Sequence, residues 1–165
     1  MKFPQPYTLE QIATIISAEF DGDVDFPVLG MNEIHVVESG GKALLISDDP
    51  FRDFNKLTQF FKPFESATAS IAPSAKIGEG TVVQPNVFIG NNVTIGKNCM
   101  IHANVSIYDN AVIGNNVVIH AGSVLGADAF YYKKRATGFD KLRSGGRVVL
   151  KDSVELGAAC TIDKG

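Results

Sequence analysis

Two histidines stand one regular interval apart, each directly after an isoleucine, as Ile101-His102 and Ile119-His120, and Val83-Gln84 holds the equivalent place one interval earlier. An imidazole changes charge near neutral pH, so a repeated histidine is a candidate general base or substrate contact. His120 and His102 are the candidates for catalysis; the competing reading is two exposed or water-bridged corner residues. A second candidate set is GADAFYYKKRATGFDKLRSGGR, Gly126 to Arg147, with Phe130, Tyr131, Tyr132, Phe139 and the six basic residues Lys133, Lys134, Arg135, Lys141, Arg143 and Arg147. Aromatics beside cations suit a phosphate-bearing ligand or an acidic carrier protein. Phe130, Tyr131, Lys133 and Arg135 are the substrate-binding candidates; a solvated, mobile loop is the alternative. His35 stands alone and reads as structural. Cys99 and Cys160 lie far apart without metal-ligand spacing, so no metal site is expected and both read as small buried residues.

The elements that position these residues follow from a six-residue period. Ile71, Ile77, Val83, Ile89, Ile95, Ile101, Ile107, Ile113, Ile119 and Leu125 recur every sixth position. Four residues after each comes something small or β-branched: Ala75, Thr81, Val87, Val93, Cys99, Val105, Ala111, Val117, Ser123 and Ala129. The two form the inward positions of a short strand, with the residue between them facing out. The last corner residue is Gly80, Asn86, Asn92, Asn98, Asn104, Asn110, Asn116 or Gly122, the residue types that best tolerate positive φ. Three corners close a triangle, so the spacing predicts parallel coils stacked around an aliphatic core. The outward residues then share faces as Val82/Met100/Val118, Phe88/Ser106/Val124 and Lys76/Thr94/Val112. An apolar column on one face suits a subunit contact. The repeat stops after Leu125 and resumes out of phase at Leu150, Leu156 and Ile162, with Val154 and Cys160 as the small residues.

Residues 1–66 read as a small α/β domain and 67–165 as the repeat, with an insertion loop at 126–147. Thr8 to Gln11 is a capping box, followed by Leu9, Ile12, Ala13, Ile16 and Phe20 at helical spacing. Short β-prone pieces fall in Phe26 to Val37, and Ala43 to Ile46 reads as a buried strand. Asp48 or Asp49 caps a second helix opened by Pro50, with Phe51, Phe54, Leu57, Phe60 and Phe61 on or near one face; Pro63 ends it. Seven of the eleven phenylalanines precede Phe64, ample core material for so short a stretch.

Net charge is −3 over 165 residues, which gives no reason to expect a nucleic-acid partner. No apolar run is long enough to cross a bilayer and the N-terminus lacks a signal-peptide pattern, so the expected compartment is the cytoplasm.

The chain resembles the hexapeptide-repeat acyltransferases, and among them the UDP-3-O-(3-hydroxyacyl)glucosamine N-acyltransferases of lipid A synthesis. The supporting stretches are YTLEQIA, HANVSIYDNAVIG within the hexads, GADAF at the insertion, and VELGAACTIDKG. The resemblance implies a mainly β fold, a left-handed parallel β-helix preceded by a small α/β domain, assembled as a homotrimer. It also implies transfer of a 3-hydroxyacyl group from acyl carrier protein to the 2-amino group of a UDP-acylglucosamine. No cofactor is implied beyond the carrier's phosphopantetheine arm. The family's basic histidine stands in an I-x-H-N/D context after a TIDKG-like segment, which neither His102 nor His120 matches. The family's first domain also carries a longer stretch whose Phe and Tyr sandwich uracil, whereas here Glu38 runs through SGGK into ALLISDDPF. The expectation is therefore a shortened member, inactive as it stands. Two other readings remain open: an acetyl-CoA-dependent sugar acetyltransferase using His102 or His120, and a non-catalytic β-helix scaffold.

Overall fold

The computed structural model describes residues 1–31 and 44–165. Expectations placed on residues 32–43, including His35, Ala43 and the passage from Glu38 into the ALLI strand, lie outside the described residues. The chain forms two compact units: Met1–Phe64 with Tyr131–Arg143, and Glu65–Phe130 with Ser144–Gly165.

The first unit begins with β1 (Lys2–Thr8), α1 (Leu9–Ile16), β2 (Glu19–Asp21), β3 (Pro27–Gly30), β4 (Leu44–Ile46) and α2 (Pro50–Phe61). Strand β1 pairs antiparallel with β3, and β2 with β4. Strand β1 escapes the sequence pattern because Pro4 and Pro6 interrupt its donors, and its pairing is irregular between Lys2 and Tyr7. The capping box at α1 forms in both directions: Gln11 N–H donates to Thr8 Oγ1 at 3.1 Å, and Thr8 N–H donates to Gln11 Oε1 at 2.9 Å. The helix stops at Ser17, whose φ is 57°, so Phe20 falls in β2 rather than extending the helical stripe. Phe3, Ile12, Ile16 and Leu57 form the small core, with the Phe3 and Phe61 rings stacked at 4.1 Å.

Helix α2 starts as its sequence requires, with Asp49 as N-cap accepting from Arg52 N–H and Pro50 next. Its buried face differs from the expected phenylalanine stripe. Asp53, Leu57 and Thr58 are buried, while Phe60 is 58% exposed. A carboxylate enters this face because its charge is fully met. The Ser47 hydroxyl donates to it, and Arg52 reaches it through Nε at 2.8 Å and Nη2 at 2.9 Å. The hydrogen bond from Arg52, set against desolvation, holds the Asp53 carboxyl at about 2, below its ordinary 3.8. At Asp49 partial desolvation pushes the carboxyl up, and hydrogen bonds from Lys133, Arg135 and the Arg52 backbone outweigh it, leaving about 2. Both carboxyls are depressed on folding, so their stabilisation is complete above the unfolded value and disappears as pH falls toward about 2. Acid titration should therefore lower the protection factors of the α2 amides between about pH 4 and pH 2, once the intrinsic exchange rate at each pH is divided out. Constant α2 protection across that window would contradict these pairings.

The second unit is the repeat. Its strands run β5 (Lys76–Ile77), β6 (Val82–Val83), β7 (Phe88–Ile89), β8 (Thr94–Ile95), β9 (Met100–Ile101), β10 (Ser106–Ile107), β11 (Val112–Ile113), β12 (Val118–Ile119) and β13 (Val124–Asp128). The insertion then forms a hairpin of β14 (Tyr132–Arg135) and β15 (Gly138–Lys141). The repeat resumes with β16 (Val149–Leu150), β17 (Glu155–Leu156) and β18 (Thr161–Lys164). The repeat strands fall in rotation on three four-stranded parallel sheets, in the orders β18-β13-β10-β7, β16-β11-β8-β5 and β17-β12-β9-β6. This is the topology of a three-sided parallel coil, and the out-of-phase segment returns in register, with Leu150 beside Ile113 and Leu156 beside Ile119.

The corner asparagines do what their placement predicts: Asn86, Asn92, Asn98, Asn104, Asn110 and Asn116 have φ between 54° and 63°. The aliphatic column is sealed from Ile89 to Leu125, and Ile71 and Ile77 at its start are partly open. Fully burying each such side chain contributes roughly 1.5–3 kcal/mol before chain entropy is set against it. Polar residues in the second inward column bond the neighbouring coil. Ser123 donates to Gly157 O at 2.8 Å and accepts from Cys160 N–H at 3.2 Å, and Thr81 accepts from Cys99 N–H at 3.0 Å. Both cysteines are free thiols, with Cys99 buried in this column.

Candidate functional site

The residue after the inward aliphatic differs from corner to corner, and that decides where side chains can project. At one corner it is Gly78, Gly96 and Gly114; a Cβ on Gly78 or Gly96 would press on the backbone of the next coil. At the next corner it is Gln84, His102 and His120, whose side chains stack outward. The imidazole rings of His102 and His120 lie 4.9 Å apart and 8° from parallel.

Hydrogen bonding identifies one donor nitrogen on each ring, and in the neutral imidazole the other is then the acceptor. Gln84 Oε1 accepts from Ala103 N–H at 2.9 Å and faces His102 Nδ1 at 3.2 Å. A carbonyl oxygen only accepts, so His102 Nδ1 carries the proton and Nε2 the lone pair. His120 Nε2 lies 2.9 Å from Glu155 Oε1. An ionised carboxylate also only accepts, so His120 Nε2 donates and Nδ1 is left as the basic nitrogen. A carboxylate holding one ring nitrogen so that the other can take a proton is the usual arrangement behind a histidine base. The pair is open to solvent, with side-chain exposures of 39% for His120 and 68% for Glu155.

Glu155 is the member the sequence reading missed. It is the outward residue of β17, beside Val118 in the sheet that also holds Val82 and Met100. The signal was present: counting back from Leu156 in the resumed repeat places residue 155 on that face.

The other candidates are placed as follows. Phe130 is 90% exposed and belongs to the unit containing the coil. Tyr131, Lys133 and Arg135 belong to the first unit. There the Tyr131 ring stacks on Phe51 at 6.1 Å, Lys133 Nζ lies 3.1 Å from Asp49 Oδ1, and Arg135 Nη2 lies 2.6 Å from Asp49 Oδ2. Arg135 Nε also reaches Asp140 Oδ2 at 2.6 Å. Phe130 and these three thus sit in different units, although they are near neighbours in sequence.

Among the described residues no three His, Cys, Asp or Glu side chains are grouped to hold a metal ion, and no helix is long and apolar enough to cross a membrane. The coils carrying both histidines are also where known proteins match: residues 92–127 fit the family described as bacterial transferase hexapeptide, six repeats.

Proposed function

We propose that the protein is a shortened relative, inactive as it stands, of the acyltransferases that move a 3-hydroxyacyl group from acyl carrier protein to the 2-amino group of a UDP-acylglucosamine, in the cytoplasm, as a homotrimer of left-handed coils; neither His102 nor His120 matches that family's base. The hexapeptide match over residues 92–127 carries the general activity, acyl or acetyl transfer. The finer substrate assignment rests on the stretches YTLEQIA, GADAF and TIDKG that flank it. In this reaction the amine attacks the thioester carbonyl and a base takes the amine proton. The tetrahedral intermediate then collapses with the pantetheine thiolate leaving, which is protonated to the thiol.

A second reading is favoured by one observation, the Glu155–His120 pair with its free Nδ1. In that reading the protein is an acetyl-CoA-dependent sugar acetyltransferase with His120 as base. Donor choice separates the two. The first reading expects binding of acyl carrier protein and none of coenzyme A. The second expects acetyl-CoA turnover that falls about 100-fold or more in His120→Ala, the usual contribution of a general base. Binding of neither donor and no nucleotide sugar would leave a non-catalytic scaffold.

A further inference from the structure

The hairpin leaves the coil after Phe130 and returns to it at Ser144, yet it is part of the first unit. A lone two-stranded hairpin is only marginally stable in water, so something must hold it. The first turns of α2 supply that hold through three side chains. Asp49, already the helix N-cap, takes Lys133 on one carboxylate oxygen and Arg135 on the other. Phe51 stacks on Tyr131 and lies under both cations, with Lys133 Nζ 5.9 Å and Arg135 Cζ 5.8 Å from its centroid. Asn55, four residues on and so on the same helix face, closes the far end. Its Nδ2 donates to Lys141 O at 3.0 Å, and its Oδ1 accepts from Arg143 N–H at 2.8 Å. The hairpin closes on itself just before that point, where Leu142 N–H donates to Tyr131 O at 2.9 Å.

We infer that residues 131–143 are a strap seated on α2, keyed by the Asp49 carboxylate between Lys133 and Arg135 and locked at its exit by Asn55. The chain passes between the two units at three places, after Phe64, Phe130 and Arg143, and the strap accounts for two of them. Unseating it would leave the first unit built from residues 1–64 alone. The key is electrostatic at a partly open site, so it is a latch and not a rigid weld. In this role Lys133 and Arg135 hold a carboxylate of the protein itself. A phosphate-bearing ligand would have to displace Asp49 to use them.

Limited trypsin digestion of the whole chain tests this, because Lys133, Lys134, Arg135, Lys141 and Arg143 are all cleavage sites within the strap. Cleavage there is read by mass spectrometry. Asp49→Ser keeps an N-cap for α2 and removes the ionic key. It should raise cleavage within 131–143 about tenfold, an effect of roughly the size expected for losing more than one exposed ion pair. Asn55→Ala should do the same through an independent contact, with Arg143 amide exchange rising in step. In the unaltered protein, about 1 M NaCl, which shortens the screening length to about 3 Å, should also speed cleavage once trypsin's own salt response is subtracted. Cleavage in the wild type as fast as in Asp49→Ser, or no response to either substitution or to salt, would overturn the strap.

Discussion

Ile107→Ala is expected to lower the stability of the coil by about 4 kcal/mol, near the upper part of the range for emptying a buried aliphatic site. Ile107 is fully buried, and the chain pairs it with Ile89 on one side and Leu125 on the other. A hole there is lined above and below by strands already committed to ladders, so the surroundings have little room to collapse. For a chain of this size the midpoint should fall on the order of 10 °C, read by calorimetry. Ile77 occupies the equivalent place in the first coils but is 39% exposed, and Ile77→Ala should cost well under half as much. Equal effects at the two positions would mean that the aliphatic column is not a continuous core.

The second large effect is expected at Gly96→Ala. A Cβ there would sit 2.6 Å from the carbonyl carbon of Gly114 and equally close to Asn115 Oδ1. Neither coil can yield easily, because Gly96 N–H is bonded to Ile113 O at 2.9 Å and Gly114 N–H to Leu150 O at 2.9 Å. Overpacking against backbone costs roughly 1–3 kcal/mol, and the blocked relaxation places this case near about 3 kcal/mol. Two controls isolate the cause. Gly122→Ala meets nothing within 4 Å and carries only the strain of φ at 74°, so it should cost about 1–2 kcal/mol. His102→Ala, at the corresponding place on the neighbouring corner, should cost less still, since its ring stands outside the core and surface changes there are small. A midpoint for Gly96→Ala no lower than for Gly122→Ala would show that coil spacing is looser than the ladder distances imply.

Much of the candidate site was legible because it is periodic. Gln84, His102 and His120 share a corner by count alone, and the structure stacks them. The same counting reaches Glu155 only when it is restarted in the resumed repeat, because the insertion shifts the phase before it. What no count provides is the proton arrangement. That depends on Ala103 N–H fixing the Gln84 oxygen and on the Glu155 carboxylate reaching His120, contacts set by side-chain rotamers in adjacent coils.

The first unit shows the opposite case. Its helix caps were visible, since Thr8/Gln11 and Asp49/Pro50 act within one turn. The buried face of α1 was visible too, at Leu9, Ile12, Ala13 and Ile16, whereas that of α2 was visible only at Leu57. Phe60 satisfies helical spacing yet is exposed, while Asp53 violates it and is buried, because Arg52 and Ser47 happen to meet its charge.

The repeat, its three faces, its positive-φ corners and its inward core were thus all readable from residue order alone. Each of these is imposed by sterics and hydrophobic period acting over six residues or one coil. That residues 131–143 of the basic, aromatic insertion belong with the first unit, clamped by Asp49, Phe51 and Asn55 eighty or more residues away in the chain, was settled by tertiary contacts alone. Charge and aromaticity state what a segment is able to bind. The partner it binds is settled by which complementary groups the folded backbone brings within about 3 Å, and no local rule carries that distance.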